Sequence, residues 1–237
     1  MWLWWSNLIL KLCGSQISKL ITYMYNKSWT CGIWPNPLKY AIIKLCFKKG
    51  DNSQVSNYRP ISLLTDFSKV FELFVFHRLK YHLVNKNILA NEQFGFRDNV
   101  STESAILKII KLIFSARNNK EYITGLFFDL TKAFDSVSHE LLILKLEFYE
   151  VKGSILNWLK SYLHNRKQRV VLQFVISPHL LSDCEVVRHG IPQGSVLGPL
   201  LFNMYINDFP CIINKISHTI LLHMILIFLF LPVILMN

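Results

Sequence analysis

Three stretches of this 237-residue chain carry residue types that could do chemistry. In "LFFDLTKAFDSVSH" (126–139), an apolar run of strand length ends on Asp129, and Asp135 follows after one more turn of chain. A carboxylate fixed at the end of a buried strand is a hard oxygen ligand suited to Mg²⁺. An Asp just before Leu130 equally suits the cap of a helix beginning there. In "RHGIPQGSVLGPLLFNMYINDF" (188–209), Gly190, Pro192, Gly194, Gly198 and Pro199 build a loop whose glycines permit close backbone approach to a ligand. An ordinary turn before a helix has the same spacing. In "FKKGDNSQVSNYRPISLL" (47–64), Lys48, Lys49 and Arg59 flank two strand-like runs. Cations held on strands can clamp a triphosphate, Arg through its planar fork. A solvated basic hairpin reads alike.

These side chains need elements to hold them. Apolar runs predict strands at 40–49, 59–64, 123–128 and 168–176. From Asp66 the period changes, and Phe67, Val70, Phe71, Phe74 and Val75 predict a helix. A second helix is predicted from about Ser101, a good N-cap with Glu103 in its first turn, burying Ile106, Ile109, Ile110 and Ile113. Ile155, Trp158, Leu159 and Tyr162 mark a third. Strands and helices mix irregularly, so the fold class expected is α+β.

Lys and Arg total 26 against 15 Asp and Glu, giving +11 and a pI near 9.5. That excess favours a polyanionic partner, nucleic acid or an anionic membrane surface. The cysteines at 13, 31, 46, 184 and 211 form no CxxC pair, which signals neither a zinc site nor a disulfide framework. "MWLWWSNLILKLCGS" lacks the basic start of a secretion signal, so a cytoplasmic or nuclear, reduced location is expected, with no secretion.

Together the stretches resemble a family. "NYRPISLLTDFSKVFE", "EQFGFRDNVSTESAI", "FFDLTKAFDSVSH", "ILNWLKSYLHNRKQRVV" and "HGIPQGSVLGPLLFNMYINDF" follow one another as in the reverse transcriptase of non-LTR retrotransposons of the jockey type, over roughly residues 8–221. The resemblance implies a partial right-hand polymerase fold, fingers and an incomplete palm with the thumb absent. It also implies an RNA template, a DNA primer and a deoxynucleoside triphosphate as partners, with two Mg²⁺ ions as cofactor. On that resemblance Asp129 is the first metal-binding, catalytic carboxylate. Phe134 is the ring that fills the space of a ribose 2′-hydroxyl, while Arg59 and Lys49 hold the triphosphate. Gly190 and the Pro192, Gln193, Gly194, Ser195 loop lie along template and primer, with Gln193 also touching the nucleotide. Gln93, Gly95, Phe96 and Arg97 form the family's "QxGFR" element near the template. The basic run Lys160, Arg166, Lys167 and Arg169 suits phosphate contacts, or a solvated helix end.

The family continues past the equivalent of "INKISHTIL" with "FADDT", which supplies the other two carboxylates. Here the chain reads "LHMILIFLFLPVILMN", and no Asp follows Asp208. The expected organisation is a helical lead-in at 1–38, the reverse transcriptase domain at 39–221 and a hydrophobic tail at 222–237. The tail reads as a frameshifted catalytic hairpin, leaving an inactive copy without the family's upstream endonuclease. One alternative is a non-catalytic nucleic-acid-binding remnant. The other is a membrane anchor at 220–236, although 17 residues fall short of the ~20 that span a bilayer. The frameshift predicts that the nucleotide sequence of codons 215–237, read in the alternate frame, gives Asp-Thr at Met224 and Ile225. A frame that closes at once in stop codons would make the apolar tail original sequence.

Overall fold

In the computed structural model, which describes residues 2–172, 180–214 and 217–230, the apolar periodicities become seven α-helices and eight β-strands among the described residues. In chain order they are α1 (Trp2–Cys31), β1 (Tyr40–Phe47), β2 (Tyr58–Leu63), α2 (Asp66–Asn85), α3 (Thr102–Asn118), β3 (Thr124–Asp129), α4 (His139–Phe148) and α5 (Ser154–Leu163). There follow β4 (Arg166–Leu172), β5 (Leu180–Leu181), β6 (Glu185–Val187), α6 (Gly198–Ile206), α7 (Phe209–Ile213), β7 (His218–Leu222) and β8 (Ile225–Phe230). The strand expected at 168–176 is found to Leu172; its remainder lies outside the described residues. The chain divides into two compact units, Met1–Tyr81 with Phe134–Leu201 and His82–Ala133 with Phe202–Asn237.

The first unit rests on a sheet in the order β2-β1-β4-β5, with β6 also paired to β4. β1 and β2 form an antiparallel hairpin, and β1 runs parallel to β4. Its aromatic core is centred on Trp34, which meets Trp158 and Tyr162 edge-on at centroid distances of 4.7 and 5.0 Å, with Phe71 at 6.0 Å. Edge-to-face geometry sets the positive ring edge against the negative face. Trp158 spends its indole N–H on Ser28 Oγ at 2.9 Å, and Ser28 passes the bond on to the Ile33 carbonyl at 2.6 Å.

The buried stripe of α2 runs through Ser68, Phe71, Glu72, Val75 and Leu79. Glu72 stands out, a carboxylate on an apolar helix face. Its Oε2 accepts the Val196 N–H at 2.7 Å and the Leu197 N–H at 3.4 Å, and its Oε1 accepts the Tyr162 hydroxyl at 3.2 Å and the Ser68 hydroxyl at 3.4 Å. Three segments, α2, α5 and the loop before α6, are thereby joined at one side chain.

The second unit carries a sheet in the order β3-β8-β7, all antiparallel. Its hairpin of β7 and β8 is covered on both faces. Ile220, Ile227 and Leu229 pack with Ala105, Ile109 and Leu112 of α3. Leu221, Leu226 and Phe228 pack with Ile206, Phe209 and Ile213. A strand covered on both faces needs an unbroken apolar run, and "ILIFLF" supplies one. The apolar tail is therefore the end of β7, a turn at His223–Met224 and β8 over its described part, 222–230; residues 231–237 lie outside the described residues. No helix among the described residues is long and apolar enough to cross a membrane.

Two expectations need correction. Helix α3 begins as expected, Ser101 and Ser104 forming a reciprocal capping box. It buries Ala105 and Ala116, however, and leaves Ile106, Ile110 and Ile113 exposed. Small residues let the helix lie close to the sheet, and the isoleucines fall one position around it. Strand β3, expected to be buried, is exposed along its length, because its open edge and outer face have no cover among the described residues.

Burial pushes the Glu72 carboxyl above its ordinary 4.5, while Arg166 and the two amides pull it part of the way back. The folded state thus binds the proton more tightly than the unfolded chain, so this group's contribution makes stability fall as pH rises from about 4.5 toward the raised value. Urea unfolding across that range is expected to show the fall, and Glu72→Gln, which does not titrate, to flatten it. Glu72→Ala strands several buried donors and is expected to lose about 3 kcal/mol or more.

Candidate active site

In the second unit Asp129 is the last residue of β3. It pairs with Ile225 across the sheet, and the Leu130 N–H donates to the Met224 carbonyl at 2.9 Å. No helix starts at Leu130; the next, α4, begins at His139 behind its own cap, Ser138. The helix-cap reading of Asp129 is thus excluded, and its carboxylate is set beside the β7–β8 turn, His223–Met224. The strand that carries it is not buried, so antiparallel pairing to β8 fixes the residue.

Gln93, Gly95, Phe96 and Arg97 are brought to that same turn. The Phe94 N–H donates to the Leu221 carbonyl and the Leu221 N–H to the Glu92 carbonyl, both at 2.8 Å, which adds this segment to β7. A Cβ on Gly95 would lie 2.2 Å from the His223 nitrogen, so only glycine lets the turn pass. Phe96 takes a positive φ of 53° and sets its ring edge-on to His223 at 4.5 Å. Gln93 is buried and donates through Nε2 to Asn203 Oδ1 at 2.5 Å. Asn203 Nδ2 in turn donates to the Gly95 carbonyl at 2.9 Å. Arg97 is spent on the Ala90 carbonyl at 2.9 Å.

In the first unit the Gly190–Ser195 loop is fastened at both ends. The Gly190 N–H donates to the Val137 carbonyl at 2.8 Å and the Ile191 N–H to the Phe134 carbonyl at 2.9 Å. Gly190, at φ 87°, has no room for a Cβ, which would sit 2.8 Å from the Asp135 Cα. His139 Nε2 lies 2.7 Å from the Gly190 carbonyl; donation along that line places the ring proton on Nε2, and burial holds the imidazole pKa down. Further on, the Ser62 N–H of β2 donates to the Gln193 carbonyl at 2.8 Å, and Ser195 Oγ accepts the Gly198 N–H at 2.9 Å to start α6. The Phe134 ring is buried, within contact distance of Gly198. Arg59 and Lys49 are exposed at one end of the β1–β2 hairpin. Within this unit the structure brings Phe134 to the loop and the loop to β2. Asp129 and the Gln93–Arg97 element belong to the other unit.

Residues 47–229 match the family described as reverse transcriptase (RNA-dependent DNA polymerase). The chain belongs to that family. Its relatives place it on the jockey-like non-LTR retrotransposon branch. It is 35% identical over 212 residues to the Drosophila melanogaster protein "Probable RNA-directed DNA polymerase from transposon BS". It is 30% identical over 205 residues to the RNA-directed DNA polymerase from mobile element jockey of the same fly. Each match covers 86% of this chain and 22% of the relative, so the chain spans about a fifth of these reverse transcriptases' length. A telomerase from Candida tropicalis, solved in complex with a fragment of telomeric RNA, shares the fold over 91% of this chain and 40% of its own, with TM-score 0.59 and 11% identity.

The two Mg²⁺ ions implied by the reverse transcriptase family call for carboxylates on both the β3 end and the hairpin. Between His218 and Phe230 there is no Asp or Glu, and the turn offers His223 and Met224. No group of three or more His, Cys, Asp or Glu gathers among the described residues. The residues present do not fit a two-ion site.

The structure adds three residues that the pattern reading passed over. Glu72 and Asn203 are both polar breaks in apolar helix stripes, a signal present in "KVFELFV" and "LLFNMYI". His139 had no such signal, since its partner is a backbone carbonyl 51 residues away. Gly95→Ala is expected to cost about 1–3 kcal/mol by forcing the hairpin turn aside. Gly14→Ala, in α1 with nothing within 4 Å, serves as the neutral-to-stabilising control, read in the same urea unfolding series.

Proposed function

We propose that this chain is a reverse transcriptase domain that retains the nucleic-acid-binding surfaces of its family and has lost nucleotidyl transfer. One observation carries the reading. The β7–β8 turn that meets Asp129 presents His223 and Met224 where the family presents two aspartates. A single carboxylate, one of the family's three, leaves the charge of a reacting triphosphate without the metal ions that would neutralise it. By the same inheritance, Arg59 and Lys49 act on the incoming deoxynucleoside triphosphate, Phe134 excludes the 2′-hydroxyl, and the Gly190–Ser195 loop, Gln193 foremost, lies along template and primer. The RNA named in the telomerase complex supports an RNA template as partner, as does the net charge of +11.

The proposed frame change from Leu222 onward accounts for the altered turn. It requires that the new frame supply strand-forming apolar residues, which "ILIFLF" does, and that one of the family's two Asp codons has mutated as well.

The full chain is expected to bind single-stranded RNA with an affinity that falls steeply with salt, unchanged by Asp129→Asn, and to give no Mg²⁺-dependent primer extension. Extension by the unaltered chain, abolished by Asp129→Ala, would overturn the loss of activity. Absence of RNA binding would overturn the reading as a whole.

A further inference from the structure

The first unit contains a cavity of about 280 Å³. Its floor is the sheet face bearing Ala41, Ile43 and Val170, and its roof is the loop from His189 to Gln193. Pro60 and Ser62 of β2 also line it, so strand alternation puts Arg59 on the opposite face; this is a separate site from the one Arg59 serves.

Arg166 lines this cavity and is 2% exposed. Its guanidinium carbon lies 4.7 Å from the Tyr162 ring centre, and Nη1 donates to the Tyr162 carbonyl at 3.3 Å. Nη2 is buried and has no hydrogen-bond partner. A buried guanidinium nitrogen without an acceptor is costly, and the cost falls away when an anion enters. Glu72 does not supply that acceptor, because its two oxygens already serve Val196, Leu197, Tyr162 and Ser68.

Asp135 adds one negative charge to the lining, while the Lys167 ammonium lies over the Tyr40 ring on the other face of β4. The one unpartnered guanidinium nitrogen matches a single phosphodiester oxygen. The apolar floor offers a surface for a sugar or base, and the volume suits one nucleotide unit, at the small end of ligand sites.

We propose that this cavity is a phosphodiester-binding subsite in which Arg166 grips one backbone phosphate of a single-stranded RNA. It rests on the reading of the chain as an RNA-binding domain and names a contact that reading leaves unspecified. The basic run 160–169 is thereby divided. Lys160 is paired with Glu147 at 2.9 Å, and Arg166 faces the strand.

The test uses the full chain and a fluorescein-labelled oligouridylate, with anisotropy read over a salt series. Arg166→Gln is expected to weaken binding about tenfold and to make the salt slope shallower by about 0.7, the value of one phosphate on a single strand. Gln168→Trp, which fills the cavity and leaves Arg166 in place, is expected to weaken binding likewise with an unchanged circular dichroism spectrum; it decides the matter if Arg166→Gln does not fold. RNA binding by the unaltered chain with the same affinity and slope in Gln168→Trp overturns the subsite and leaves the proposed function standing. No RNA binding by the unaltered chain overturns both. If a deoxynucleoside triphosphate displaces RNA from the unaltered chain and fails to do so from Gln168→Trp, the cavity holds a free nucleotide, and the assignment to a strand is overturned.

Discussion

A carboxylate placed on the apolar face of a helix has to find donors or unfold its surroundings, and Glu72 finds its donors in the backbone. By accepting the N–H groups of Val196 and Leu197 it fixes the loop that precedes α6, and by accepting the Tyr162 hydroxyl it ties that loop to α5. The loop's other fastenings, to Ser62 of β2 and to the 134–137 turn, are backbone bonds whose geometry depends on it being held there. The loop is thus oriented from behind by a buried carboxyl group. Burial raises the pKa of that carboxyl and of the Tyr162 hydroxyl beside it, which marks the cluster as costly and therefore specific.

The second unit solves a different problem. Its β7–β8 hairpin is apolar on both faces because α3 covers one and the α6–α7 region the other. Gly95 and the Phe94–Leu221 pairing hold the turn, and Asn203 locks the segment that does so. What reads in isolation as a greasy tail is the interior of a layered unit.

Much of this was legible in the residues. Helices at Asp66, Ser101 and Ser154 and strands at 40, 59 and 124 follow from periodicity, caps and apolar runs, since each is a local property. The resemblance to reverse transcriptases rested on five long segments, and the family match spans 47–229. What the sequence could not give was non-local. Whether Ile106 or Ala105 faces the sheet turns on how close α3 packs, and whether β3 is covered turns on which strand lies beyond its edge. The boundary expected at Leu222 follows the point where the chain departs from the family's "FADDT" pattern. The β7–β8 hairpin spans that point, with β7 ending at Leu222 and β8 beginning at Ile225.

The hairpin also separates two kinds of selection. Its strands are buried, and a polar residue at Leu226 or Phe228 would be eliminated as a folding defect, whatever the chain's activity. Its turn is open at His223, whose exposed ring meets Phe96 edge-on at 4.5 Å. A change of frame that alters the turn but again supplies apolar residues to β8 therefore leaves little thermodynamic trace. In such an architecture a copy of the gene no longer under selection for chemistry retains its shape long after its acidic residues are gone, and measured stability says nothing about whether it still reacts.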